Sequence, residues 1–170
     1  FLITSTIQAQ EIPLSNSKGK SHLGMGVGLS YGTIGFRFSN NIKDYLSVFG
    51  GLGYHFAGMG YNVGLTKTFK SNSATQLYLT GMYGTNAAIR VRGLSEFNEV
   101  YRGATVGLGA KVNMKKNKGN YWDFGLLVPF TSDQFRDDEN TVENDARVDN
   151  FTSSWPVLIT LGYHFLIRKL

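Results

Sequence analysis

Apolar side chains alternate with small or polar ones along most of this chain. Between His22 and Ser39, a large apolar residue occupies nearly every second position, and most of the positions between are glycine. Successive side chains of a β-strand point to opposite sides, so strict alternation indicates a strand with one apolar face. The same period recurs almost to the C-terminus and predicts about eight strands.

The connections between the predicted strands keep the apolar residues on one face. Two-residue hairpins are predicted at 32–33 and 57–58, each flanked by apolar residues. At the other end, polar turns containing NNIKD, KSNSA and KKNKGN join strands at even spacing, which preserves the face. The remaining connections, 93–100 and 131–154, are long and polar and fall on the side of the tight hairpins. We therefore expect an all-β fold, a closed antiparallel up-and-down barrel of about eight strands.

Two environments are compatible with such a barrel, and the charge on each face distinguishes them. A soluble lipocalin-like barrel has its apolar face inside, whereas a membrane barrel turns it towards lipid. The apolar face of the predicted strands carries one formal charge, Lys67, near a strand end where its ammonium can reach the headgroups. The opposite face is mostly Gly, Ser, Thr and Asn, and a barrel that exposed this face to water would be poorly soluble. We therefore predict a transmembrane barrel.

The predicted lipid-facing residues share the apolar phase of the alternation. They are Leu23, Val27, Ile34, Phe36, Val48, Leu52, Val63, Leu65, Leu79, Val106, Leu108, Phe124, Leu126, Ile159 and Leu161. The same phase puts Leu29 and Tyr31 on the outer face of the first strand, and Ala87 and Ile89 on that of the fifth.

The opposite phase predicts a polar network in the lumen, formed by Arg37, His55, Lys111, Asp123 and His164. Charges in a narrow interior need partners, so we expect Arg37, Lys111 and Asp123 to hold the lumen together. Inward glycines would make room for large side chains, among them Tyr45, Phe49 and Tyr78, because about eight strands leave just enough space for side chains.

Composition changes this picture little. The chain has 170 residues, enough for one domain, and 17 % of them are charged. It has no cysteine, and no apolar run approaches the roughly 18 residues of a spanning helix. We predict a signal-peptide remnant at 1–10, a periplasmic lead-in at 11–20 and the outer-membrane barrel at 21–170.

Several strand sequences resemble a known family. The runs GLSYGTIGFRF, SVFGGLGYHF, GMGYNVGLTKTF, YRGATVGLGAKV and VLITLGYHF resemble small outer-membrane β-barrel proteins of Bacteroidota-type bacteria, related in architecture to the OmpX and OmpA membrane domains. The resemblance implies a bacterial outer-membrane location, lipid as the surroundings, and insertion by the barrel assembly machinery. That machinery reads a last strand that usually ends in an aromatic residue, whereas here five residues follow Phe165.

The resemblance also implies that the termini and short turns are periplasmic and that the long loops lie outside the cell. Nine of the twelve acidic residues fall in the two long loops. We therefore expect any extracellular partner, whose identity is unknown, to bind through loops 93–100 and 131–154.

The sequence offers little chemistry for a catalytic, cofactor or metal site, and we predict none. The acidic run 133–145 lacks the ligand spacing and central glycine of an EF-hand loop. The basic residues are scattered over separate turns without aromatic platforms, which argues against nucleic-acid binding. The predicted function is a non-enzymatic outer-membrane barrel with a filled lumen and a structural, binding or adhesion role. The alternatives are a membrane-embedded lipid-modifying enzyme, in which His55 or His164 would take part, and a soluble lipocalin-like carrier.

Overall fold

The described part of the chain forms a closed antiparallel barrel of eight strands. The computed structural model describes residues 18–55, 58–69, 73–89, 99–143 and 155–169. The strands are β1 (Lys20–Gly28), β2 (Thr33–Lys43), β3 (Leu46–His55), β4 (Gly58–Thr68), β5 (Thr75–Ile89), β6 (Glu99–Asn113), β7 (Tyr121–Pro129) and β8 (Leu158–Lys169). Each strand pairs with its neighbours in sequence, and β1 pairs with β8 to close the sheet. The predicted all-β, up-and-down barrel is confirmed.

Large apolar side chains cover the outside of the barrel. Val63, Leu108 and Ile159, on β4, β6 and β8, are 57 %, 60 % and 72 % exposed. The fifteen residues named above as lipid-facing all lie exposed on this outer face, whereas four others of the same phase do not and are described below. Thr66, Thr160 and most other strand residues of the opposite phase are buried in the lumen. The apolar side of the sheet is therefore its convex side.

The connection between β1 and β2 differs from the predicted two-residue hairpin. Gly28 pairs with Thr33, and Leu29–Tyr31 form a short 3-10 turn between them. Leu29 and Tyr31 are 5 % and 0 % exposed, so the prediction that they face outwards is wrong. Gly28 and Gly32 have φ values of 109° and 67°, which glycine adopts without steric cost and which direct the chain into the barrel. We call Leu29–Tyr31 the inner turn.

A register shift in β5 corrects a second prediction. The pairing with β6 slips between Thr85 and Ala87, as it does at a β-bulge. The alternation therefore changes phase, and Ala87 and Ile89, predicted on the outer face, are buried.

A helix covers this buried end of β5. The helix α1 (Asp133–Glu143) lies within the connection 131–154, which was predicted to be a long polar loop. Its Phe135 and Val142 form an apolar cluster with Ala87, Ile89 and Tyr101. Within the described residues, no helix combines the length and hydropathy needed to cross a membrane.

Smaller differences concern the strand ends. His55 pairs with Gly58, so Gly58, predicted in the connection 57–58, is the first residue of β4. Tyr45, predicted in the lumen, lies in the β2–β3 turn and is 42 % exposed. β1 begins at Lys20, one residue before the predicted start of the barrel. The predictions for 1–17, and for the parts of the two long loops at 93–98 and 144–154, lie outside the described residues.

Candidate functional site in the barrel lumen

Asp123 is at the centre of the polar lumen. It is the third residue of β7, points inwards and is 1 % exposed. Its Oδ2 accepts hydrogen bonds from Arg37 Nη1 at 3.1 Å and from Tyr31 Oη at 3.3 Å. Its Oδ1 accepts one from Tyr78 Oη at 2.6 Å. Hydrogen bonds to an ionised group are among the strongest in proteins, so this carboxylate joins β2, β5, β7 and the inner turn.

Arg37 is the ion-pair partner of Asp123 and is itself 3 % exposed. Its Nη2 donates to Thr66 Oγ1 at 3.0 Å, and its Cζ lies 3.7 Å from the centroid of the Phe49 ring. Guanidinium groups pack well on aromatic faces because the ring's negative quadrupole attracts them. The one side chain therefore links β2 with β3, β4 and β7.

His164 extends the cluster to β8. Its Nε2 lies 2.7 Å from Tyr31 Oη and 3.6 Å from Asp123 Oδ2. Its ring stacks on Tyr121, with centroids 4.5 Å apart and planes 7° apart. A phenol has one proton, so a directed chain satisfies both contacts: His164 Nε2–H donates to Tyr31, and Tyr31 donates to Asp123.

The inner turn fills the part of the lumen next to Arg37, Asp123 and His164. Ser30 Oγ lies 2.8 Å from Thr160 Oγ1 on β8, and Asn62 Nδ2 on β4 donates to Leu29 O at 2.7 Å. These bonds, together with the phenol of Tyr31, attach the turn to opposite walls of the barrel. The lumen is therefore occupied by the chain's own residues at this level.

Glycines on the wall make the insertion of Tyr31 possible. A methyl group on Gly162 would meet the Tyr31 hydroxyl and ring inside van der Waals distance, and one on Gly26 would meet Tyr31 and the β8 backbone. Gly109 and Gly125 lie against the Tyr78 phenol in the same way. The glycine-rich phase of the strands thus accommodates two tyrosines that reach the central carboxylate.

A second group of polar side chains lies towards the short-turn end. Lys111 Nζ donates to Thr68 Oγ1 at 3.1 Å, and lies 5.3 Å from the Tyr121 ring centroid and 5.8 Å from that of Tyr78. Lys111 is directly opposite Asp123 in the β6–β7 register, and the ion pair of that carboxylate is with Arg37.

The structure thus brings together three of the five predicted lumen residues, Arg37, Asp123 and His164. Lys111 lies next to this cluster. His55 is the last residue of β3 and makes no hydrogen bond to the cluster in the described residues. Tyr31 was missed because its sequence phase matches that of the outward residues. In the described ranges there is no group of three His, Asp or Glu side chains that could hold a metal ion.

The fold is similar to that of a solved β-barrel domain. The N-terminal β-barrel domain of Pseudomonas aeruginosa OprF, known from a crystal structure, matches with a TM-score of 0.50. The match covers 87 % of this chain and 98 % of that domain, at 14 % sequence identity. No protein-family model and no curated protein sequence matches the chain. At this identity the likeness concerns the fold, and it agrees with the closed eight-strand barrel described above.

A separate polar contact holds the helix at the far end. Tyr101 Oη donates to Asp138 Oδ2 at 2.7 Å, and the Tyr101 ring meets Phe135 edge to face at 5.0 Å. Tyr101 belongs to the part of β6 that extends past the exposed apolar belt. Burial and the nearby Asp138 carboxylate raise the pKa of the Tyr101 phenol, so it stays protonated and can donate to Asp138.

Proposed function

We propose that the protein is an integral barrel of a bacterial outer membrane, with a filled lumen and a structural or loop-mediated binding role. The observation that carries this proposal is the inverted polarity of the barrel. Apolar side chains such as Leu108 are exposed on the outside, whereas Arg37 and Asp123 are buried on the axis. A soluble barrel would gain free energy from the opposite arrangement, because apolar surface is driven out of water.

Aromatic residues on the outer face support a membrane position. Trp122, Tyr163 and Phe165 form a contiguous group at the short-turn end, with ring centroids 4.9 Å and 4.7 Å apart. Lys67 lies over Phe69 at the same end, at 5.9 Å. Amphipathic aromatic rings favour the boundary between hydrocarbon and headgroups, and lysine can extend from there to water.

The far end of the barrel is the candidate binding surface. Helix α1 carries several exposed carboxylates, including Asp133 and Asp137, and is held on the barrel by the cluster around Phe135. We propose that an extracellular partner binds here, through loops 93–100 and 131–154. A partner that binds here would meet a negatively charged surface, and a cationic partner is therefore favoured.

Cell fractionation tests the membrane assignment. The full chain should be found in the outer-membrane fraction, and should migrate differently on a detergent gel before and after boiling, because a closed barrel resists detergent. Recovery in the aqueous supernatant without detergent would contradict the proposal and favour the carrier alternative.

Two further measurements test the details. Protease added to intact cells should cleave within 131–154 if these residues lie outside the cell. The lipid-modifying alternative predicts that His164→Ala changes the lipid A mass spectrum, whereas our proposal predicts unchanged lipids. In the described residues the nearest polar partner of His164 Nε2 is the Tyr31 phenol, not a serine hydroxyl.

A further inference from the structure

A row of outward side chains on β2, β3 and β4 carries two lysines near the short-turn end. Leu46 of β3 is directly opposite Lys43 in the β2–β3 register and directly opposite Lys67 in the β3–β4 register. Residues that are directly opposite in antiparallel strands point to the same side of the sheet. Because neighbouring strands are about 5 Å apart, the Cα atoms of the two lysines lie about 10 Å apart. Both lysine side chains are exposed.

An aromatic ring lies next to each of these two ammonium groups. Lys43 Nζ is 5.8 Å from the centroid of the Tyr45 ring, and Lys67 Nζ is 5.9 Å from that of Phe69. The backbone N–H of Thr68 donates to Tyr45 O at 2.8 Å, so the two lysine–ring pairs are neighbours. We call Lys43, Tyr45, Lys67 and Phe69 the lysine–aromatic cluster. Aromatic rings favour the boundary between hydrocarbon and headgroups, so in a membrane both ammonium groups would reach the level of the lipid phosphates.

Positive charge is in excess around the lysine–aromatic cluster. Neither Lys43 nor Lys67 forms an ion pair with a carboxylate of the described residues. In the described part of the short turns, Asp44 is the one acidic residue, and its Oδ1 accepts a hydrogen bond from the backbone N–H of Lys18 at 3.0 Å. The β6–β7 turn adds three exposed lysines, Lys115, Lys116 and Lys118. Cations near a membrane surface attract anionic headgroups, so this end of the barrel favours lipids with net negative charge.

We infer that the lysine–aromatic cluster binds an anionic glycerophospholipid of the leaflet on the short-turn side, with both ammonium groups on one headgroup phosphate. The flexible four-carbon stems of the lysines let both groups turn towards a phosphate that lies between them. Val48 and Leu65, which are directly opposite each other on β3 and β4, are exposed and offer apolar surface to an acyl chain. Since the lysines share the outer face with these apolar residues, a lipid reaches them more readily than a soluble acidic partner. The inference rests on the membrane position proposed above.

Native mass spectrometry of the full chain, refolded in an uncharged detergent, tests the inference because it counts the lipids that stay bound. Phosphatidylglycerol and phosphatidylcholine with the same acyl chains are titrated separately, and only the first has a net negative charge. We expect one phosphatidylglycerol to be retained at least about fivefold more tightly than phosphatidylcholine, and Lys43→Gln or Lys67→Gln each to weaken its retention about fivefold, the usual attraction of one cation at a membrane surface. Lys115→Gln removes an equal charge from the β6–β7 turn and should leave retention unchanged.

Charge-conserving variants and the gel shift complete the design. Lys43→Arg and Lys67→Arg keep both charges and should retain phosphatidylglycerol, and the heat-dependent gel shift shows that each variant forms a closed barrel. If a glutamine variant fails to fold, the comparison of the two lipids on the wild type still decides. Recovery of the wild type in the aqueous supernatant would overturn the membrane proposal and this inference with it. A folded barrel that retains both lipids equally would overturn this inference alone, as would equal effects of Lys43→Gln, Lys67→Gln and Lys115→Gln.

Discussion

Removal of the negative charge at Asp123 should destabilise the barrel more than almost any other conservative substitution. Asp123→Asn keeps the shape of the side chain and one oxygen for Tyr78, but leaves the Arg37 guanidinium buried at 3 % exposure without its ion-pair partner. Loss of one member of a buried pair costs about 3–5 kcal/mol, because the remaining charge is uncompensated. The free energy of unfolding of a typical protein is about 5–15 kcal/mol, so this loss should be a large fraction of the barrel's stability.

A double-mutant cycle separates this charge effect from a general loss of packing. Arg37→Met removes the guanidinium and keeps much of its volume over Phe49. With both charges gone, neither member of the pair is left without the other, so the double variant should be more stable than the sum of the single changes predicts. We expect a coupling free energy of about 1.5–3 kcal/mol, the upper range for residues in direct contact.

Urea unfolding of the protein refolded in phospholipid vesicles measures these free energies. Fluorescence of Trp122, adjacent to Asp123 in β7, reports the transition, and the gel shift confirms barrel closure. The exposed pair Arg136 and Asp133, 3.5 Å apart on α1, is the matched control and should show no measurable coupling. Additivity of Asp123→Asn and Arg37→Met within about 0.5 kcal/mol would refute the argument that the pair neutralises the lumen.

Three further predictions concern the wall, the outer face and the helix. Gly162→Ala should cost about 1–3 kcal/mol in urea unfolding because its methyl group meets Tyr31, whereas Gly81→Ala, with open space at that position, should stay within about 0.5 kcal/mol. Leu108→Arg should cost about 2–4 kcal/mol in vesicles, and equal stability of variant and wild type would contradict a lipid-facing Leu108. Phe135→Ala should speed proteolysis within 131–154 while the heat-dependent gel shift is retained, and unchanged cleavage would mean that the helix is not held by this contact.

The barrel itself could be predicted from sequence because strand alternation is a local property. The even spacing of residues such as Val63 and Leu65 reports directly on which side of the sheet they lie, and the structure has them on one face. The fold class could be predicted because this pattern repeats along the chain, and the prediction needed no knowledge of contacts between distant residues.

The lumen was harder to predict, since its contacts join residues far apart in the chain. Tyr31 follows the apolar phase of β1, and nothing near it signals that the chain bends inwards at Gly28. Its partner His164 is 133 residues away. In the same way, the shift at Thr85 reverses the faces of Ala87 and Ile89, because one extra residue changes the parity of everything after it.

The inner turn has a consequence for the order of assembly. Its anchors Thr160 and His164 belong to the final strand, 130 and 133 residues beyond their partners. The inner turn can therefore make these bonds only after β8 has arrived, and β8 is also the strand that pairs with β1 to close the barrel. Contacts of such long range slow folding. The last step of folding should thus be a single concerted event, in which β8 pairs with β1 and binds the inner turn at the same time.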